Sequence, residues 1–148
     1  MNIKFWRTKN VNILKRVLDA QNMLEWLLDA PLKGRITTAD FNRQKLNDED
    51  LVIYEIRSGL KLAGLVFFKI KDRSAKIDVA FLPWARGKTA RQVIEPLLKY
   101  EHEVHHIREF YGRIKEGHKA SLKFAEWAKF EQVHNNNGII TVRRYYNG

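Results

Sequence analysis

Apolar positions recur at two periods along this chain, and the switches between them mark its elements. Ile3–Trp6 reads as a short first strand, after which Val11, Leu14, Val17, Leu18, Met23, Leu24, Leu27 and Leu28 fall at helical spacing. This predicts a long amphipathic helix, with a break near Gln21–Asn22 and an end at Pro31 and Gly34. Thr38 or Asp40 is placed to cap a shorter helix running through Leu46, and Asn47–Asp50 reads as a polar turn. The middle third changes to the strand period. Leu51–Arg57, Leu60–Ile70 and Lys76–Leu82 are rich in Val, Ile and Phe, and the short turns Ser58–Gly59 and Lys71–Ser74 join them into an antiparallel meander. The helical period returns after Pro83 with Ala90, Val93, Ile94, Leu97, Leu98 and Val104, and Pro96 within that helix removes one backbone bond and predicts a bend. Phe110–Ile114 reads as a strand, and Ser121, Phe124, Ala125, Trp127, Ala128 and Phe130 suit a further helix. Glu131–His134, the turn Asn135–Gly138 and Ile139–Tyr146 form the last hairpin, signalled by Asn-Gly ahead of a β-rich run. The order βααβββαβαββ predicts an α+β fold with one mixed, mostly antiparallel sheet flanked by helices.

Composition narrows the class. At 148 residues and 45% hydrophobic, the chain can bury roughly two thirds of its unfolded surface in one core, so a single domain over residues 1–148 is expected. The longest uncharged apolar runs, Leu62–Phe68 and Gly138–Val142, fall far short of the ~20 residues of a membrane-spanning helix. With no cysteine there is no disulfide, thiolate nucleophile or zinc-thiolate site, and the N-terminus lacks the apolar stretch of a signal peptide; both favour the cytoplasm. Lys and Arg number 27 against 17 Asp and Glu, a formal charge of +10, so a polyanionic partner is expected: nucleic acid, an acidic protein surface or a phosphorylated cofactor.

Two junctions in this order carry a resemblance. The strand KIDVAFLP runs into the loop RGKTAR, Arg86–Arg91, at the start of a helix, and further on the chain reads HKASLKFAEWAKF. Element order and both junctions together resemble the GNAT superfamily of acyl-CoA-dependent N-acetyltransferases, over nearly the whole chain. In that family a strand pairs with the pantetheine arm, and a loop patterned R/Q-x-x-G-x-G/A wraps the pyrophosphate with helix N-terminal amides. The resemblance implies acetyl-CoA as co-substrate, held by Phe81 and Leu82 on the strand, by Arg86, Gly87, Lys88, Thr89, Ala90 and Arg91 on the loop, and by Ser121 on the later helix. Thr89 stands where the first motif glycine usually lies and Arg91 where glycine or alanine does. In the second junction His118 replaces asparagine, Lys129 replaces glycine, and Ala125 occupies the place of the tyrosine that serves many members as general acid. Gly64, in KLAGLVFF, agrees with a common family strand glycine.

Amide formation from an amine needs a proton acceptor and a donor for the carbonyl oxygen. Strand alternation puts Lys76, Asp78 and Ala80 on one face, which makes Asp78 the best-placed carboxylate; Glu55, sharing a face with Leu51 and Ile53, is the second candidate. For both, the structural alternative is an ion pair on a solvated face, for Asp78 with Lys76 or with a lysine of a neighbouring strand. The resemblance implies that the carbonyl is polarised by the backbone N–H of Phe81 or Leu82. His102, His105 and His106 sit at i, i+3 and i+4, but nothing else in the sequence completes a ligand set, so no metal is expected. His118, ahead of its helix, is expected to cap it or to meet solvent.

Three functions stay open on these grounds. The first is an N-acetyltransferase acting on an unidentified amine, with Asp78 or Glu55 as base. The second is a degenerate member acting in assembly; the small, cysteine-free, basic chain is similar in style to bacteriophage head-assembly proteins, which would make virion proteins its partners. The third is a nucleic-acid-binding domain using the basic-aromatic segments FWRTK and VRRYYNG, the alternative for the latter being an edge strand blunted by arginines.

Overall fold

The computed structural model describes residues 3–19 and 48–147. The expected continuation of the first helix through Leu28 and the helix ending at Leu46 lie outside them. The described elements are β1 (Ile3–Arg7), α1 (Val11–Leu18), β2 (Leu51–Ser58), β3 (Lys61–Lys71), β4 (Ser74–Phe81), α2 (Lys88–His105), β5 (Glu109–Lys115), α3 (Lys119–Trp127), β6 (Glu131–Asn136) and β7 (Ile139–Tyr145). A single 3-10 turn, Pro83–Ala85, joins β4 to α2. No described helix is long and apolar enough to cross a membrane.

The strands form one sheet in the order β1-β2-β3-β4-β5-β7-β6, antiparallel throughout except where β4 meets β5. The expected mixed, mostly antiparallel α+β architecture is therefore what the chain adopts. Alternation sorts the side chains onto two faces. Val52, Tyr54, Ile56, Val66, Phe68, Ala75 and Phe81 pack on one face with Val93, Ile94, Leu97 and Leu98 of α2 and Ala125 of α3. On the other face, Leu51, Ile53, Leu65, Phe67 and Ala80 meet Leu14, Val17 and Leu18 of α1.

Local chemistry explains the boundaries. The Asn10 side chain accepts from the amides of Asn12 and Ile13 at 3.0 and 3.3 Å, capping α1. That helix ends at Leu18 with Asp19 as its C-cap, before the break expected at Gln21–Asn22. α2 continues through Pro96 because Pro96 and Gln92 both lie on its exposed side, where the Gln92 carbonyl that loses its partner can meet water. Val104, counted with the apolar stripe, is 47% exposed, since the last turn of α2 runs past the sheet. Asn137 and Gly138, with φ of 53° and 85°, form the two-residue hairpin turn, and β6 extends to Asn136. β7, expected as a candidate edge strand, lies between β5 and β6; the edge is β6, exposed along its whole length.

Candidate active site: a splayed strand pair

β4 and β5 are parallel neighbours for only three residue pairs, Ser74↔Glu109, Ala75↔Phe110 and Lys76↔Tyr111. The closed end is pinned by Ser74 Oγ donating to Glu109 Oε1 at 3.0 Å and by the Arg108 amide donating to the Arg73 carbonyl at 2.8 Å. Beyond Lys76 the strands part. The gap is a cleft of about 440 Å³, walled by Ile77, Val79 and Phe81 on one side, Gly112 and Ile114 on the other, and Ile94, Phe124 and Ala125 from the helices.

The polar groups of β4 follow from its register. The Leu82 amide donates to the Ala63 carbonyl at 2.8 Å, which makes Gly64↔Phe81 a narrow antiparallel pair. In a narrow pair the residue's own N–H and C=O point away from the partner strand. Phe81, and Val79 by alternation, thus turn their backbone groups from β3 toward the gap. The Phe81 carbonyl accepts from Arg86 Nε at 3.1 Å, while its N–H faces the cleft. Of the two amides expected to polarise a carbonyl, Leu82's is held within the sheet and Phe81's is the one directed at the cleft.

Next along the chain, Gly87 is the N-cap of α2, with a φ of 98° that favours glycine and no side-chain cap. The first helical bond runs from the Arg91 amide to the Gly87 carbonyl at 2.9 Å, so the amides of Lys88, Thr89 and Ala90 have no acceptor within the helix. Arg86, Gly87, Ala90 and Arg91 line the cleft; Arg91 also lies 5.4 Å from the Trp127 ring. Lys88 and Thr89 do not line it. Thr89 is buried, so the side chain standing in place of the family's glycine is turned into the protein.

α3 supplies the opposite rim. Ser121 and Ala125 both line the cleft, and so does His118, which makes no side-chain capping bond. Burial, with Arg86 and then Lys115 adding positive charge, pushes the His118 imidazole below its ordinary pKa. Lys129, where the family has glycine, takes a φ of 69° as the chain leaves α3.

The two carboxylate candidates separate. Asp78 lines the cleft, with Lys76 Nζ 3.8 Å from its Oδ2. Glu55 lies outside the cleft lining; it is 5% exposed on the α1-facing side, and its Oε2 accepts from Arg57 Nε at 2.8 Å. The sequence reading did not single out Arg113, Lys115 and Lys123, which also line the cleft. The alternation FYGRIK was the available signal, but it could not say that β5 borders a gap.

The three neighbouring histidines diverge. His102 Nδ1 contacts the Ile107 carbonyl at 2.6 Å, His105 Nδ1 contacts Glu101 Oε2 at 2.5 Å, and His106 takes a left-handed φ of 59°. Among the described residues no three His, Cys, Asp or Glu converge on one point. In VRRYYNG, Arg144 is bound to Glu95 of α2 and donates to the Ala128 carbonyl at 3.0 Å. This arginine ties α2, the end of α3 and β7 together behind the cleft.

No family model matches the sequence, and no curated protein matches it. Solved structures do. The chain is similar to a spermidine N-acetyltransferase from Vibrio cholerae in complex with CoA and spermine, with a TM-score of 0.77 and 15% identity over 97% of this chain and 95% of that one. It is also similar to the Campylobacter jejuni N-acetyltransferase PseH in complex with acetyl coenzyme A, with a TM-score of 0.73 and 12% identity over 99% and 100% of the two chains. Element order and these likenesses agree: the chain has the GNAT fold.

Proposed function

We propose that this chain is an acyl-CoA-dependent N-acetyltransferase that transfers an acetyl group from acetyl-CoA to an amine. The observation that carries the reading is the β4–β5 gap, with the Phe81 amide directed into it and the uncapped start of α2 at its rim. An extended pantetheine arm suits the backbone groups of Val79 and Phe81 that the parting of β5 leaves facing the gap. A diphosphate suits the Lys88–Ala90 amides, with Arg86 and Arg91 beside them. The two structural neighbours, bound to CoA and to acetyl coenzyme A, support the same co-substrate.

In the reaction, the amine nitrogen attacks the thioester carbonyl carbon, the carbon–sulfur bond breaks, and the proton given up by nitrogen is balanced by one taken up at sulfur. The Phe81 amide is directed where it can stabilise the developing oxyanion. Asp78 is the carboxylate in place to take a proton from an incoming ammonium, directly or through water. Glu55, held by Arg57 away from the cleft lining, is assigned a structural role. Ala125 brings no proton to the sulfur.

That last feature also favours the second reading, in which the fold is retained without chemistry for an assembly role such as in a phage virion. One experiment separates the two. In thermal-shift titrations with acetyl-CoA, CoA and ATP at two salt concentrations, a specific ligand at 100 times its dissociation constant adds about 2.7 kcal/mol of stability. Saturable stabilisation by acetyl-CoA but not ATP, lost in Arg86→Ala, together with release of CoA when an amine is supplied, supports the enzyme. Saturable binding with no turnover across amine classes supports the assembly reading. Equal shifts with acetyl-CoA and ATP that salt removes overturn the cofactor site.

A further inference from the structure

Among the described residues the gap in the sheet is lined from both faces, and the two mouths differ in chemistry. Ile77, Val79 and Phe81 line the cleft on the face covered by α2 and α3, whereas Asp78, Arg113 and Lys115 line it from the opposite face. Counting on from the last parallel pair, Lys76↔Tyr111, puts Asp78 across the gap from Arg113 and Ala80 across from Lys115. Lys76 lies 3.8 Å from Asp78 on the same side. Among the described residues this second mouth therefore gathers Lys76, Arg113 and Lys115 around one carboxylate. A polycation entering it meets an excess of like charge, and an anion meets an excess of opposite charge.

We infer that the acceptor is an amine carrying an anionic group, a carboxylate or a phosphate, within a few bonds of its nitrogen. This inference rests on the acetyltransferase reading. The amine sits at Asp78, on the thioester side, and the anion reaches across to the Arg113 guanidinium, whose planar fork suits either oxyanion, with Lys115 adding charge at the next level of the strand. The acceptor class then carries an anionic group that spermine, the ligand of the Vibrio cholerae neighbour, lacks.

The test uses the full chain and begins with calorimetry of acetyl-CoA binding. Turnover is then read as free CoA thiol, to which a cysteine-free protein adds no background. The acceptors are matched: methylamine against glycine, ethanolamine against phosphoethanolamine, with spermidine as the polycation. The expected result is a kcat/KM for one anion-bearing acceptor about ten-fold or more above that of its counterpart without the anionic group, with the glycine and phosphoethanolamine arms telling carboxylate from phosphate. Arg113→Gln is expected to cut that ratio mainly through KM, and Arg113→Lys to restore part of it. If no amine turns over, each is titrated into the CoA complex, and binding of an anionic amine that Arg113→Gln weakens supports the inference. Acetyl-CoA binding with the amines lacking an anionic group or spermidine preferred, or with no Arg113-dependent binding of an anion-bearing amine, overturns it and leaves the acetyltransferase reading standing. Absence of acetyl-CoA binding overturns both. Salt-sensitive binding of an RNA or DNA oligomer that Arg113→Gln weakens, with no anionic amine bound, overturns it in favour of a polyanion surface.

Discussion

Gly64 and Phe81 are opposed so closely that a Cβ on Gly64 would lie 2.8 Å from the Phe81 Cα and 2.4 Å from the Ala80 carbonyl oxygen. Both obstacles are backbone, so no side-chain rotation relieves them. Gly64→Ala must push β4 away from β3 at the residue whose amide faces the cleft. The expected cost is about 1–3 kcal/mol, read by urea denaturation, together with weaker acetyl-CoA stabilisation. A variant as stable as wild type would show that β3 and β4 are not in the contact described.

Lys129 holds a left-handed φ of 69° just past α3, with its amide donating to the Glu126 carbonyl at 3.0 Å and the Phe130 amide to Ala125 at 2.9 Å. A residue with a Cβ pays for that conformation, and glycine does not, although glycine loses more freedom on folding. Lys129→Gly is expected to raise stability by up to about 1 kcal/mol. Lys129→Ala, which keeps the Cβ, serves as the control and should change little. A loss of stability in Lys129→Gly alone would contradict the conformation.

His118 has its pKa lowered by burial, with Arg86 and Lys115 adding to the effect. The unfolded chain then binds its proton more readily than the folded one, so folding stability falls as pH drops below about 6.5 and is unaffected by this group above it. Comparing wild type with His118→Gln across pH isolates the contribution. The gap between them should be flat above pH 6.5 and should move toward the variant on acidification. A diphosphate beside His118 would reverse the local charge balance, so acetyl-CoA binding near pH 6 is expected to take up protons, measurable by calorimetry in buffers of different ionisation heat. A pH-independent gap between the two proteins would sink the assignment.

Glu101 is fully buried on α2, where it accepts from the Tyr54 hydroxyl and from His105 Nδ1, the latter at 2.5 Å. Burial, then the bond to Glu101, keeps the Tyr54 phenol protonated well above its ordinary range. Tyr54→Phe removes one donor from a carboxylate that water does not reach. The expected loss is about 1–3 kcal/mol, and a stability change under a few tenths would show that the carboxylate finds another partner.

What could be read in advance was local. The switch of apolar period at Leu51, the Asn-Gly turn at 137–138 and Pro83 ahead of α2 act over a few residues, because side-chain periodicity and turn dihedrals are properties of short segments. Alternation likewise put Asp78 with Lys76 and Ala80, and Glu55 with Leu51 and Ile53, each within its own strand; that these are one face of the sheet is shown by the pairing of β2, β3 and β4. The loop Arg86–Arg91 and the positions of Ser121 and Ala125 were legible because their spacing relative to a helix start is sequential. The parting of β4 from β5, by contrast, depends on two strands separated in the chain by a whole helix. Only their register shows that pairing stops at Lys76↔Tyr111 and that Arg113 stands across from Asp78, and only the register of β3 with β4 shows that Phe81 rather than Leu82 turns its amide into the gap. Hydrogen-bond register and cross-strand charge are set by partners far along the chain, so tertiary structure alone decided which residues share the cleft.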